Sequence, residues 1–550
     1  MKRFFAAVLV TCCLSLIVAP AVRGETIATT EQWGVFEVTL AGPADGNPFV
    51  EVDLTATFTQ GDRSVRVAGF YDGEGVYKIR FSPETTGEWR YTTTSNRPAL
   101  HGQSGAVAVT AARAGNHGPV RVAHTYHFAY ADGTPYRQLG TTSYSWLHQT
   151  PARQEQTLRT LAASPFNKIR MCVFPQNHAE QTATLLPFPR TAAGVWDATR
   201  FVPEFFRHLE QRVGELSDLG IEADLILFHP YGNKWPFSSL SAADDDRYVR
   251  YLVARLSAYR NVWWSLCNEW DFLKSKTESD WDRIFQVIQA ADPYPRLRSI
   301  HNAFVLYNNS HPWVTHASIQ QGAAVLDPER AMLYRDVWRK PVVYDEVKYE
   351  GNSDRRWGQL TGEGMLLRFW NGTVAGTYVG HSEILGVRNA PGVASWKKPD
   401  RATGYWLGAG GELRGESVAR LAFLRQILAD APADGIEPID KWQERRTGGK
   451  PGEYYLIYFG EKTPTAWPFV LYKTGVTDGI RFTAEVIDTW NMTITPIEGT
   501  FETKQKDDYD FVDVQGRSIP LPGLPYQAIR LRRVGPPPAK PVVDRLPLDT

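Results

Sequence analysis

Asn261-Val262-Trp263-Trp264-Ser265-Leu266-Cys267-Asn268-Glu269-Trp270-Asp271 is the stretch on which the fold turns. It is a nearly continuous apolar run that stops at an amide and a carboxylate. A strand buried on both faces, as in a parallel sheet, reads this way. Its polar end then belongs where the sheet opens to solvent. Lys340-Pro341-Val342-Val343-Tyr344-Asp345-Glu346 repeats the design. Phe166-Asn167-Lys168-Ile169-Arg170-Met171-Cys172-Val173-Phe174 varies it, with Arg170 inside the apolar run.

Outward from these runs, strand-like and amphipathic helical segments alternate, the pattern of a parallel α/β fold. Strands are expected at 137–143, 167–174, 221–229, 261–268, 297–301, 313–319, 341–346 and 376–381. Helices are expected around 157–161 and over 205–219, 247–259, 281–291, 328–338, 364–370 and 417–431. Only Asn302 to Pro312 joins the fifth and sixth strands, so the fifth helix is missing or short. The reading is an α/β chain with a (β/α)8 barrel over 120–435. A doubly wound open sheet is the alternative, but no Gly-rich phosphate loop follows a strand.

Both flanks read as all-β sandwiches. Over 26–113, Phe36–Leu40, Val52–Phe58 and Tyr77–Phe81 alternate with period two and are separated by Gly-containing turns. Over 440–534, Tyr454–Phe459, Phe482–Ile487 and Ala528–Leu531 do the same. Residues 535–550 form a Pro-rich tail, expected to be extended.

Composition narrows the function. Lys+Arg and Asp+Glu are both 60, so the formal charge is zero and no basic footprint for nucleic acid exists. Met1-Lys2-Arg3, the apolar Phe4–Ala19 stretch and small residues near Gly24 read as an export signal over 1–24, implying a secreted or periplasmic protein. No later segment has the uninterrupted apolar length of a membrane span. Cys172 and Cys267, the cysteines left after the signal, lie in buried-looking strands and are expected to be free core thiols. Aromatic residues make up 12% of the chain, which suits heavy β cores and also stacking on sugar C–H faces.

A barrel carries its active site at the C-terminal ends of its strands. Glu269 ends the fourth strand, beside Asn268, and burial near Trp264 and Trp270 is expected to raise its pKa as a general acid needs. The seventh strand ends in Asp345-Glu346, and either residue is the candidate second carboxylate. Carboxylates facing each other across a barrel mouth suit retaining glycoside hydrolysis. Arg170 requires a buried anion, and an ionised nucleophile would supply one. Trp146 and His148 after strand one, His178 after two, His229 and Trp235 after three, Trp270 after four, His301 after five, His316 on six, and His381 and Glu383 on eight complete the candidate sugar-binding set. No His-x-His pair closes strand one and no Cys–His ligand spacing appears, so neither metal nor other cofactor is expected.

Asn167-x-x-Arg170, Asn268-Glu269 and the Glu closing strand seven together resemble the clan A glycoside hydrolases. Within them the chain is similar to bacterial apiosidase-like barrel proteins. Trp406-Leu407-Gly408 with Gly411, and Leu413-Arg414-Gly415-Glu416-Ser417, also resemble that group. Gly87-Glu88-Trp89-Arg90-Tyr91 and Asp488-Thr489-Trp490 resemble the β domains that flank such barrels. The resemblance implies Glu269 as general acid/base, Glu346 as nucleophile and a carbohydrate substrate. Two departures stand out. His316 or Gln320 replaces the Tyr common on strand six, and His381-Ser382-Glu383 replaces the Trp common on strand eight. A metal-dependent barrel hydrolase and a non-catalytic carbohydrate-binding scaffold are the rival readings.

Overall fold

Eight short parallel strands form the centre: β1 (Gly140–Thr142), β2 (Lys168–Cys172), β3 (Glu222–Phe228), β4 (Val262–Cys267), β5 (Arg298–Ser299), β6 (Ala317–Gln320), β7 (Val342–Glu346) and β8 (Tyr378–His381). Their spatial order is β5-β4-β3-β2-β1-β8-β7-β6, and a single parallel bridge between His301 and Ser318 closes the ring. Closure leaves no free sheet edge. The structure is a computed structural model that describes residues 27–176, 185–231, 235–386, 405–439 and 446–536. Residues 1–24, His178 and most of the Pro-rich tail lie outside the described residues.

Helices α1 (Pro151–Ala162), α2 (Pro203–Asp218), α3 (Ala242–Leu256), α4 (Glu278–Ala291), α5 (Pro328–Trp338), α6 (Gly362–Val374) and α7 (Ser417–Ala429) surround the barrel. No helix joins β5 to β6, as the short connection required. Sequence sets several helix starts directly. Ser241 with Asp244 and Thr277 with Asp280 form capping boxes, each satisfying otherwise orphaned N–H groups. Among the described residues no helix is long and apolar enough to cross a membrane, and Cys172 and Cys267 are free and buried.

The barrel interior changes character along its axis. At the N-terminal end a small antiparallel sheet (Val120–Ala123, His127–Tyr130, Pro135–Tyr136) pushes Phe128 against Trp263 and Tyr378 as a floor. That sheet lies between the expected sandwich and the expected first strand, and period-two patterning over such short pieces did not announce it. Above the floor lies a layer of charge. The Lys168 ammonium reaches Asp224 and Asp345, each at 2.9 Å, and its surroundings are fully buried. Arg170, two residues on and on the same strand face, continues this layer toward the mouth.

The flanking domains press on the barrel through buried polar groups. In the N-terminal domain, strand Arg63–Tyr71 pairs by its first part with Leu54–Gln60 and by Gly69–Tyr71 with Val76–Phe81, so one strand bends the sheet into a sandwich. A helix of four residues, Pro48–Glu51, interrupts the otherwise all-β reading. Arg80 of this domain donates to Glu210 of α2 and to the Arg255 carbonyl at the end of α3. The C-terminal sandwich lays Tyr458 on Trp370 of α6, ring centroids 5.1 Å apart. Glu437 there receives Arg335 at 2.6 Å and His127 at 2.7 Å.

Replacing Lys168 by Met would strand Asp224 and Asp345 in the barrel without their cation. A loss of about 3–5 kcal/mol is expected for breaking such a pair from one side. Urea unfolding of the variant, followed at two wavelengths, measures it.

Candidate active site

Glu269 owes its place to an unusual backbone. It follows the end of β4 with φ +50°, the left-handed region that non-glycine residues rarely enter. The turn lets Phe272 donate to the Glu269 carbonyl at 2.9 Å and Trp270 donate to the His301 carbonyl at 3.0 Å. The chain thus leaves the strand sharply and the Glu269 side chain stays in the mouth, 8% exposed. Strain of this kind persists only where the surroundings impose it.

Glu346 owes its place to a bulge. Along β6 and β7, Ile319 pairs with Tyr344 and then Gln320 pairs with Glu346. Asp345 is the extra residue. A bulge re-aims side chains that strict alternation would separate. Asp345 and Glu346 therefore both face inward, at different depths. Asp345 lies in the charged layer, held by Lys168 and by the Ser318 hydroxyl at 2.6 Å. Glu346 lies at the mouth. It accepts from the Tyr144 hydroxyl and from Tyr349, with Arg170 Nη1 3.8 Å and His301 Nε2 3.7 Å away.

The two mouth carboxyls differ in company. Burial, and then the charge of Glu346, push the Glu269 pKa up to about 8. Burial also raises Glu346, but Arg170, Tyr144 and Tyr349 oppose that rise by stabilising its ionised form. Of two interacting acids, the one with a cation and hydroxyl donors ionises first. Glu346 is that one, and Glu269 keeps the proton. Deeper in, burial works against the charge on Asp345, but Lys168 and Arg170 outweigh it and hold this carboxyl well below the usual range.

Arg170 joins the pair. Its Nη2 donates to Asn268 Oδ1 at 2.9 Å, while Nε lies 3.9 Å from both Asp224 and Asp345. Asn268 in turn donates to the Tyr231 hydroxyl at 3.3 Å. On the other side a chain of hydrogen bonds leads from the charged layer to Glu269. The Ser318 hydroxyl donates to the ionised Asp345 and its oxygen lies 3.0 Å from His301 Nδ1. Burial, and then Arg170, hold His301 well below its ordinary pKa, so it is neutral. Gln320 Oε1 lies 3.3 Å from His301 Nε2. The Gln320 side chain also bonds Glu269, where it favours the ionised form and offsets part of the rise that burial and Glu346 impose.

Comparison with known proteins gives the family. Residues 123–431 match the apiosidase-like catalytic domain family. A crystal structure of a candidate glycoside hydrolase from Bacteroides vulgatus ATCC 8482 is 40% identical over 92% of this chain and 100% of its own, with a TM-score of 0.85. The chain belongs to the apiosidase-like family. The enzyme class is that of the glycoside hydrolases. A family 5 glycoside hydrolase from the same organism shares the fold at 15% identity, with a TM-score of 0.55 and coverage of 76% of this chain and 94% of its own. The flanks match two domains of unknown function, DUF5060 at 29–96 and DUF5605 at 442–532. No curated protein matches the chain.

In this apiosidase-like barrel, Arg170, Asn268 and His301 gather around the carboxyl pair, and most other expected sugar contacts do not. His316 lies at the opposite end, edge-on to Phe128 and Trp263 in the floor, because it precedes β6 rather than ending it. Trp146 is fully buried and donates to Met171 Sδ, and His148 stacks on Phe205 of α2. His229 bonds the Phe174 carbonyl at 3.2 Å. Trp235 packs on Phe174 and Trp196, and Trp270 against Tyr307. Trp264 points outward to Asp292, so it does not desolvate Glu269. His381 points out of the barrel onto Phe166.

Glu383 also turns away from the mouth. It accepts from the Arg414 and Gly415 N–H groups, while neighbouring Glu350 accepts from those of Glu416 and Ser417. These bonds clamp the start of α7. Glu350, His381 and Glu383 are, among the described residues, a group whose donor atoms lie within 4.8 Å of one another. Their carboxylate oxygens are already engaged by main-chain N–H groups, and a Cβ on Gly415 would lie 2.5 Å from Glu350 Oε2. The donor set thus serves a helix cap better than an ion. Sequence reading passed over Tyr349, Lys168, Asp224 and Ser318. Polar residues at i, i+2 in apolar strands were the available signal for Lys168 with Arg170.

Gln320→Leu would remove the hydrogen bond that favours ionised Glu269. The alkaline limb of the pH–rate profile is expected to move to higher pH, with the acid limb little changed. A shift to lower pH would show that Gln320 favours the protonated acid instead.

Proposed function

We propose that this chain cleaves O-glycosidic bonds of a plant or microbial poly- or oligosaccharide with retention of anomeric configuration. Glu346 attacks the anomeric carbon while Glu269 protonates the departing oxygen. Glu269, now ionised, then takes a proton from water as that water releases the sugar from Glu346. The observation that carries this reading is the unequal setting of the two carboxyls. Glu346 has a guanidinium and two tyrosine hydroxyls, whereas Glu269 has burial and a neighbouring negative charge.

Each surrounding residue fits a part of the cycle. Arg170 sustains the nucleophile's charge and fixes Asn268, whose amide lies beside the reacting pair to meet a sugar hydroxyl. The Tyr144 and Tyr349 hydroxyls hold the attacking carboxylate in one orientation, and they can follow its charge as it becomes an ester. His301 stays neutral, so it adds no charge that would compete with Arg170. Export is part of the same proposal and rests on residues 1–24. N-terminal sequencing of the mature protein from the producing cell tests it.

The non-catalytic scaffold reading predicts glycan binding without turnover. A broad glycan hydrolysis screen with wild type separates the two. Glu346→Gln is expected to lose on the order of 10³-fold or more in kcat. Glu269→Gln should lose as much on natural glycans and far less on glycosyl fluorides, whose departure needs little acid assistance. Proton NMR of the first-formed product gives the stereochemistry, and an inverted anomer would refute retention.

The pH dependence follows from the same settings. Acid catalysis needs protonated Glu269, so kcat/KM should fall as pH rises through about 8. Attack needs ionised Glu346, whose raised pKa places the acid limb above the ordinary glutamate range. The result is a bell whose two limbs belong to the coupled pair. Loss of the alkaline limb in Glu269→Gln, measured on a glycosyl fluoride, checks the assignment.

A further inference from the structure

The rim of the mouth next to Glu269 carries two exposed aromatic rings. Phe304 is 78% exposed, its neighbour Val305 55% and Phe272 40%. Phe272 and Phe304 meet edge to face with centroids 5.4 Å apart. Large apolar groups clustered together in water commonly mark a binding surface.

The loops that carry the rings are fixed. Asp271, only 8% exposed, accepts the N–H groups of Ala303 at 2.6 Å, Phe304 at 2.8 Å and Val305 at 3.0 Å. One carboxylate thereby ties the loop leaving β5 to the loop leaving β4. Two more main-chain bonds, Trp270 to the His301 carbonyl and Phe272 to the Glu269 carbonyl, connect both loops to the acid itself. The aromatic pair is therefore built to keep a set position relative to Glu269. A ring held before binding loses less freedom when a ligand arrives.

We propose that Phe272 and Phe304 form the stacking platform for the leaving-group side of the substrate, and that this leaving group is a further sugar ring presenting its C–H face. The inference rests on Glu269 being the general acid, because the group that protonates the departing oxygen stands on the leaving-group side. Size favours a sugar over a protein partner. Two rings can cover one or two pyranose faces but fall far short of the roughly 1,000 Å² that a specific protein interface needs.

The test compares two substrates with the same reacting sugar. One is the oligosaccharide cleaved best in the glycan screen, and the other is the glycosyl fluoride of its reacting sugar, which has no leaving-group ring. Wild type, Phe304→Ala, Phe272→Ala and the double variant are measured on both, with melting temperatures as a check on folding. The double variant should lower the ratio of kcat/KM on oligosaccharide to that on fluoride by about tenfold or more, mainly through KM. Phe304→Trp should keep the wild-type ratio. An unchanged ratio in the double variant would overturn the platform and leave the hydrolase reading standing. Failure of wild type to cleave any glycan or any fluoride would instead overturn the hydrolase reading on which the platform depends.

Discussion

Arg170 stands inside a closed barrel with almost no access to water, and the functional end of the molecule depends on how its charge is met. Asp224 and Asp345 lie on one side of the guanidinium and Glu346 on another. Lys168, one layer down, takes direct contact with the two aspartates and leaves Arg170 free to reach the mouth. Its remaining hydrogen bond goes to Asn268, the residue before Glu269. A single cation thus sets the charge of Glu346 and the position of the chain that carries Glu269. Desolvating such a network is costly, and a fully apolar barrel would be easier to stabilise. The charged layer is retained here where chemistry needs it.

Among the described residues, loops at the mouth are tied from several directions. Tyr144 donates its N–H to the Leu407 carbonyl at 2.7 Å, and Ser145 donates to that of Gly408 at 3.1 Å. The Trp406-Leu407-Gly408 stretch therefore fixes the backbone from which the Tyr144 hydroxyl reaches Glu346. Asp271 locks the β4 and β5 loops, and the Glu350–Glu383 clamp secures the approach to α7. The flanking sandwiches add support at a distance, through Arg80 on α2 and α3 and through Tyr458 on α6. Their buried contacts with the barrel are those of a brace.

The barrel was legible because its strands must be apolar on both faces and its helices amphipathic, two periods that a single chain displays openly. All eight strand positions, the absent fifth helix and the exit of β4 at Glu269 follow from that contrast. The set of residues expected around the mouth was legible only in part. Near a strand end, side chains alternate between the mouth and the helix layer, and residues a few positions further on belong to loops that fold back. His381 and Glu383 fell to the outer side of β8. His316 precedes its strand and belongs to the floor. Trp146, His148 and Trp235 are polar or aromatic residues spent on packing beneath the loops. Proximity in sequence to a strand end says how high a residue lies, not which way it points.

The chain by itself determined the architecture and the presence of a carboxylate at the ends of strands four and seven, because hydrophobic periodicity and residue type are local properties. It left Asp345 and Glu346 as equals until a family resemblance favoured one. Tertiary structure separated them physically. The bulge opposite Ile319 and Gln320 turns both side chains inward and puts one in the charged layer and one at the mouth. The unequal settings of Glu346 and Glu269 were likewise beyond sequence. They depend on which distant groups, Arg170, Tyr144, Tyr349 and Gln320, arrive beside each carboxyl, and only the closed barrel brings them there.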